Sequence, residues 1–93
     1  MNKVIKFYAD WCGPCKNYAP IFEQVTSRLK ADWEVENYDV DSPEGSEMAV
    51  SHGVRSVPTT VIAIDGKEPK KLVGAIAAND LAKELTMKKG LVQ

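Results

Sequence analysis

The chain has 93 residues, with 12 Lys and Arg against 13 Asp and Glu, giving a formal net charge of −1 at pH 7. That near-balance supplies no electrostatic reason to expect nucleic acid or an anionic membrane as a partner. The length suits one domain, residues 1–93, with no room for a second core, and a monomer is expected.

The chain opens Met1-Asn2-Lys3-Val4-Ile5-Lys6, straight into a strand over residues 3–9 that is rich in β-branched and aromatic side chains. No charged n-region precedes a long apolar run and nothing approaches a membrane span, so neither a leader nor a membrane anchor is expected. Asp10-Trp11 leads into a helix over residues 13–31, where Tyr18, Ile21, Phe22, Val25 and Leu29 fall on one apolar face. Pro20 lies inside that helix and removes one i→i−4 hydrogen bond. Residues 33–40 form a second strand, parallel to the first through a right-handed crossover. Its charged members Glu34, Glu36 and Asp39 suit a sheet edge that resists pairing with other chains.

Ser42-Pro43-Glu44 signals a helix start: a capping serine, proline at the first position and an acid in the first turn. This helix runs to about His52, and Gly53 stops it. The single histidine is expected to interact with the last helical carbonyls. Residues 58–64 are nearly continuous and apolar, as in a buried central strand. Asp65-Gly66 turns the chain into a hairpin partner over residues 70–73. Asn79-Asp80 starts a final helix through Leu81, Leu85 and Lys88, stopped by Gly90.

Both cysteines of the chain lie in Trp11-Cys12-Gly13-Pro14-Cys15-Lys16, at the junction of the first strand and the first helix. A helix start offers free N–H groups and the positive end of the macrodipole, and both favour an anion. The thiolate is the nucleophilic form of cysteine, so a lowered pKa is expected for Cys12. Pro14 suits a first turn, where its missing N–H would have no partner. Gly13 lets a second backbone come close. Two cysteines at this spacing make a two-electron switch: Cys12 attacks a disulfide and Cys15 resolves the mixed disulfide. A zinc site needs about four ligands, and beyond the pair the chain offers only the distant His52, so no metal is expected. A structural staple over so short a loop would add little. The switch is expected at the exposed tip of the first helix, and in a chain without a leader this pattern points to a reducing, cytoplasmic setting.

Trp-Cys-Gly-Pro-Cys-Lys after a strand, with Ala19-Pro20 in the following helix, resembles the thioredoxin family. Asp39-Val40-Asp41, Gly53-Val54-Arg55-Ser56-Val57-Pro58-Thr59 and Val73-Gly74-Ala75 continue the resemblance in the family's order over most of the chain. It implies an α/β thioredoxin-like fold: a four-stranded mixed sheet in the order 2-1-3-4, with helices one and three on one face and helix two on the other. The family's extra N-terminal strand and helix have no counterpart here, which would leave the second strand at the edge. The segment between Asp41 and Pro58 is about two residues longer than usual in the family, so an irregular first turn is expected in the second helix.

The resemblance also implies that Pro58 is cis and stands beside the cysteines. The Val57 backbone would then pair with an extended substrate segment by strand addition. Trp11, Gly13, Pro14, Val57, Pro58, Gly74 and Ala75 would form a small apolar patch around Cys12. The expected activity is thiol–disulfide exchange on protein disulfides. Electrons would come from a thioredoxin reductase or another thiol donor, with no cofactor beyond the redox-active cysteines. A glutathione-dependent, glutaredoxin-like reductase and a non-catalytic binding module are the alternatives. Where the family carries a buried aspartate on the first strand, this chain has Lys6, and Asn37 stands where a lysine is common. Lys6 would tune the site electrostatically or reach out to water along its aliphatic stem.

Overall fold

The computed structural model describes residues 1–91. In chain order it contains β1 (Asn2–Tyr8), α1 (Gly13–Thr26), β2 (Trp33–Asp39), α2 (Pro43–Ser51), β3 (Thr59–Ala63), β4 (Lys70–Val73) and α3 (Ala78–Met87). The strands form one sheet in the order β2-β1-β3-β4. β1 pairs parallel with β2 and antiparallel with β3, and β4 pairs antiparallel with β3.

Alternation along β1 divides the core, because successive side chains of a strand leave on opposite faces. Val4 joins Tyr18, Phe22 and Val25 of α1, Ile62 of β3, and Leu81 and Leu85 of α3. Ile5 and Phe7 join Ala49 of α2 and Val61 of β3. Helices α1 and α3 therefore share one face and α2 covers the other, as the family resemblance implies. Between the sheet and α1 the Tyr18 hydroxyl meets the Thr60 hydroxyl at 2.7 Å, so neither polar group is buried without a partner.

α1 passes through Pro20 but ends at Thr26, short of the expected residue 31. Hydroxyls end it: Thr26 Oγ1 donates to the Phe22 carbonyl at 2.7 Å, and Ser27 Oγ to the Gln24 carbonyl at 2.6 Å. Arg28 and Leu29 then bond back three residues, to Val25 and Thr26, which tightens the last turn. Beyond it the chain is held from outside the helix. Leu29 bridges to Leu91, and the Lys30 N–H donates to the Gly90 carbonyl at 2.7 Å. Such a tie between distant residues has no local sequence signal.

α3 also differs from expectation. It starts at Ala78 behind Ala77, which supplies no capping side chain, and Asp80 lies in its first turn. The expected irregularity at the start of α2 is absent. Ser42 Oγ accepts from the Gly45 N–H at 2.9 Å, and the Ser46 N–H reaches the Ser42 carbonyl at 2.8 Å. Ser42→Ala removes the cap and should lower stability by about 1 kcal/mol, read from urea unfolding of the oxidised protein. At the other end of α2 the His52 ring lies 5.8 Å from the Phe7 ring, tilted by 55°. It packs on the aromatic core instead of serving the last carbonyls.

Candidate functional site

The turn after β1 is built from backbone hydrogen bonds. The Cys12 N–H donates to the Ala9 carbonyl at 3.2 Å, and the Lys16 N–H reaches the Cys12 carbonyl at 3.4 Å. Cys12 is the N-cap of α1, with extended backbone angles, and its sulfur accepts from the Cys15 N–H at 3.2 Å. A sulfur thus fills the acceptor role that serine or aspartate takes at other helix starts. Pro14 sits in the first turn, where no N–H is required. The two cysteines are joined as a disulfide with Cα atoms 5.2 Å apart, inside the ordinary range for such a bond.

The sequence places the pair at an exposed tip, and the structure corrects this. Cys12 is 5% exposed and Cys15 4%. Tyr8, Ala9, Val40 and Val57 pack around them, and Val40 and Val57 arrive from segments too remote for local pattern to signal. The rim is open: Gly13 and Pro14 are exposed, and Trp11 is 71% exposed. Trp11 is therefore no core filler. Its indole Nε1 donates to Asp41 Oδ2 at 2.8 Å, an anchor thirty residues away that no local pattern signals.

The peptide bond between Val57 and Pro58 is cis. The Val57 carbonyl oxygen lies 3.7 Å from Cys12 Sγ, so this loop stands against the first sulfur of the pair. The Gly74 N–H donates to the Pro58 carbonyl at 2.8 Å, tying the end of β4 to the same loop. Gly74 has φ +93°, a conformation that favours glycine. Trp11 and Val57 share a cavity of about 180 Å³ with Val40, Ala49 and Val54. Ala75 is exposed beside Gly74. Of the expected patch, Trp11, Val57, Pro58 and Gly74 thus converge on the cysteine turn or its supporting loop, and Ala75 follows only by chain continuity.

Lys6 is largely covered, and it meets water only through a cleft. It is 8% exposed, and its Nζ lies 5.4 Å from the centre of the Tyr8 ring and 5.2 Å from that of Phe22. It lines a cleft of about 400 Å³ with Tyr8, Ala9, Asp10, Cys15 and Lys16. Burial pushes the Lys6 pKa below the usual lysine value, and the negative charge of Glu23 works against that shift. The lysine itself was legible in the sequence, but its cleft was not.

The family model described as Thioredoxin matches residues 1–87 of the chain. The chain belongs to the thioredoxin family. A thioredoxin of Mycoplasmoides gallisepticum is 45% identical over 82 residues, which cover 88% of this chain and 78% of that protein. A thioredoxin of Mycobacterium tuberculosis is 37% identical over 83 residues, 89% of this chain and 70% of the relative. Among solved structures, a mutant thioredoxin from Halobacterium salinarum superposes with a TM-score of 0.81 at 35% identity, covering 99% of this chain and 78% of its own. The thioredoxin of Fasciola hepatica gives 0.78 at 36% identity, covering 94% and 80%. Thioredoxin membership and the joined Cys12–Cys15 pair identify a thiol–disulfide oxidoreductase.

Proposed function

We propose that the protein reduces disulfide bonds in other proteins through the Cys12-Gly13-Pro14-Cys15 dithiol. The observation that carries this reading is the placement of Cys12. Its sulfur caps α1, accepts an N–H hydrogen bond and faces the Val57 carbonyl at 3.7 Å. Each of the first two features favours negative charge on that sulfur.

In the forward reaction the Cys12 thiolate attacks one sulfur of a partner disulfide, and the partner's other sulfur leaves as a thiolate that takes a proton from water. Cys15 gives its proton to water and, as thiolate, then attacks Cys12. The Cys12–Cys15 bond forms as the bond from Cys12 to the partner breaks, and the second partner sulfur leaves as a thiolate that takes a proton from water. A thioredoxin reductase or another thiol donor restores the dithiol with two electrons and two protons. Because the pair is covered and only its rim is open, the fitting substrate is an extended segment laid across Trp11, Gly13 and Pro14. Its backbone would pair with that of Val57. A reducing compartment such as the cytoplasm suits this cycle, since the spent disulfide must be returned to the dithiol.

Insulin reduction driven by thioredoxin reductase, run beside a glutathione-driven assay, tests the proposal. Turnover with the reductase is the expected outcome. Turnover with glutathione alone would reassign the protein to glutaredoxin-type chemistry. No turnover with either would leave a binding module.

A further inference from the structure

We propose that Lys6 holds Cys15 as its thiolate once Cys12 is bonded to a partner, and so speeds the resolving step. This rests on the exchange cycle proposed above.

Lys6 is a largely covered lysine whose ammonium opens only on the cleft and has no anion in contact. Among the described residues it takes part in no salt bridge, and its Nζ makes no hydrogen bond within the chain. The Tyr8 and Phe22 rings attract a cation, but ring faces offset only part of the cost of removing an ammonium from water. Its register neighbours on β2 and β3 are Asn37 and Thr60, which carry no charge. On α1, Glu23 is exposed and acts from a distance, while Lys16 is a like charge on the cleft. Asp10 lies at the cleft's exposed end. The remaining titratable group on this cleft, besides the Tyr8 phenol, is Cys15, itself 4% exposed.

A buried thiolate carries the same kind of desolvation cost as a buried ammonium, with opposite sign of charge. Formed on the walls of one cleft, each relieves the other. In the disulfide state seen here the sulfurs are neutral and Lys6 is left unpaired. In the mixed disulfide Cys12 is again neutral, so of the two cysteine sulfurs only that of Cys15 offers the lysine an anion. The Cys15 thiolate then attacks Cys12 Sγ, the bond from Cys12 to the partner breaks, and the departing partner thiolate takes its proton from water. The Lys6 proton stays on nitrogen throughout. Lys6 thus acts through Cys15, as a positioning residue.

The test uses Cys12→Ser, which keeps position 12 uncharged and leaves Cys15 as the only thiol. Its ultraviolet thiolate absorbance is titrated with Lys6 present and in Lys6→Met, Lys6→Gln and Lys6→Arg. Neutral replacement should raise the Cys15 midpoint by about one pH unit or more, and slow its alkylation at neutral pH by about tenfold. Lys6→Arg should keep most of the wild-type midpoint. Far-ultraviolet circular dichroism checks each fold, and Lys6→Gln stands in if Lys6→Met does not fold. An unchanged midpoint in a folded neutral variant overturns the proposal. So does an equal rise in Lys6→Arg, which would mean that only packing had been disturbed. Failure of the insulin assay instead strikes the exchange cycle, and it is read on the protein with both cysteines present.

Discussion

Cys15→Ser is expected to arrest the protein with a partner covalently attached through Cys12. The attacking sulfur keeps its place at the helix start, because its hydrogen-bond donor is the backbone N–H of residue 15 and not that side chain. The first exchange should therefore proceed. The second requires an internal thiol, and the Cα atoms of the pair are 5.2 Å apart in the joined state. Well-oriented groups of this kind act at effective molarities of about 10⁵ M or more. A solution thiol at millimolar concentration cannot replace that, so multiple turnover should fall by at least about a thousandfold. Non-reducing electrophoresis and intact mass of the adduct supply the measurement. Cys12→Ser should form no adduct by this route. Undiminished turnover in Cys15→Ser would mean that the protein works with a single cysteine and would remove the dithiol mechanism.

Gly45→Ala is expected to destabilise the protein by about 3 kcal/mol or more, the upper end of what overpacking costs. Within a helix the same change ordinarily helps by about 1 kcal/mol, so the sign of the effect is itself diagnostic. A Cβ on Gly45 would stand 1.8 Å from the Asp39 carbonyl oxygen and 2.5 Å from its carbonyl carbon. Neither is the far end of a flexible side chain. The oxygen belongs to the last residue of β2 and also accepts from the Ser42 N–H at 3.0 Å and from Ser42 Oγ at 2.7 Å. Relief requires α2 to lift from the end of the sheet or the segment after β2 to move. That segment carries Asp41, the acceptor for Trp11, so the damage should extend to the rim of the cysteine site. The urea midpoint of the oxidised protein reads the loss. A change below about 0.5 kcal/mol, the scale of an inert surface substitution, would show that the close approach has slack.

How much of this was legible beforehand depended on the range of the interactions. Alternation along residues 3–9 and helical spacing from Tyr18 to Val25 are local patterns, and with the family resemblance they led to the correct layers and sheet order. Cys12 at a helix start followed from where one pattern gives way to the other. Expectations failed where a distant segment decides the outcome. Thr26 and Ser27 end α1 by local bonds that leave the apolar period unaltered, and beyond them Leu29 is held by the distant Leu91 instead of continuing the helix. The cysteines are covered because Val40 and Val57 fold over them. His52 is drawn to Phe7 by packing that no neighbouring residue announces. Lys6 stood out as the wrong residue type for its place, but only the packed structure shows the aromatic rings beside it and the cleft that it shares with Cys15.

The bridge between Leu29 and Leu91 bears on how the domain can be joined to anything else. α1 carries the chain away from the sulfurs for 14 residues, about 21 Å at 1.5 Å per residue, before it reaches the point where Leu91 is fastened. Met1 is likewise clasped to Asp65 at the start of β1, a full strand away from the cysteine turn. Met1 and Leu91 therefore both lie at the end of the domain opposite the cysteine turn. A fluorophore or a resin coupled at Met1 or Leu91 would stand a helix length away from the cysteine turn.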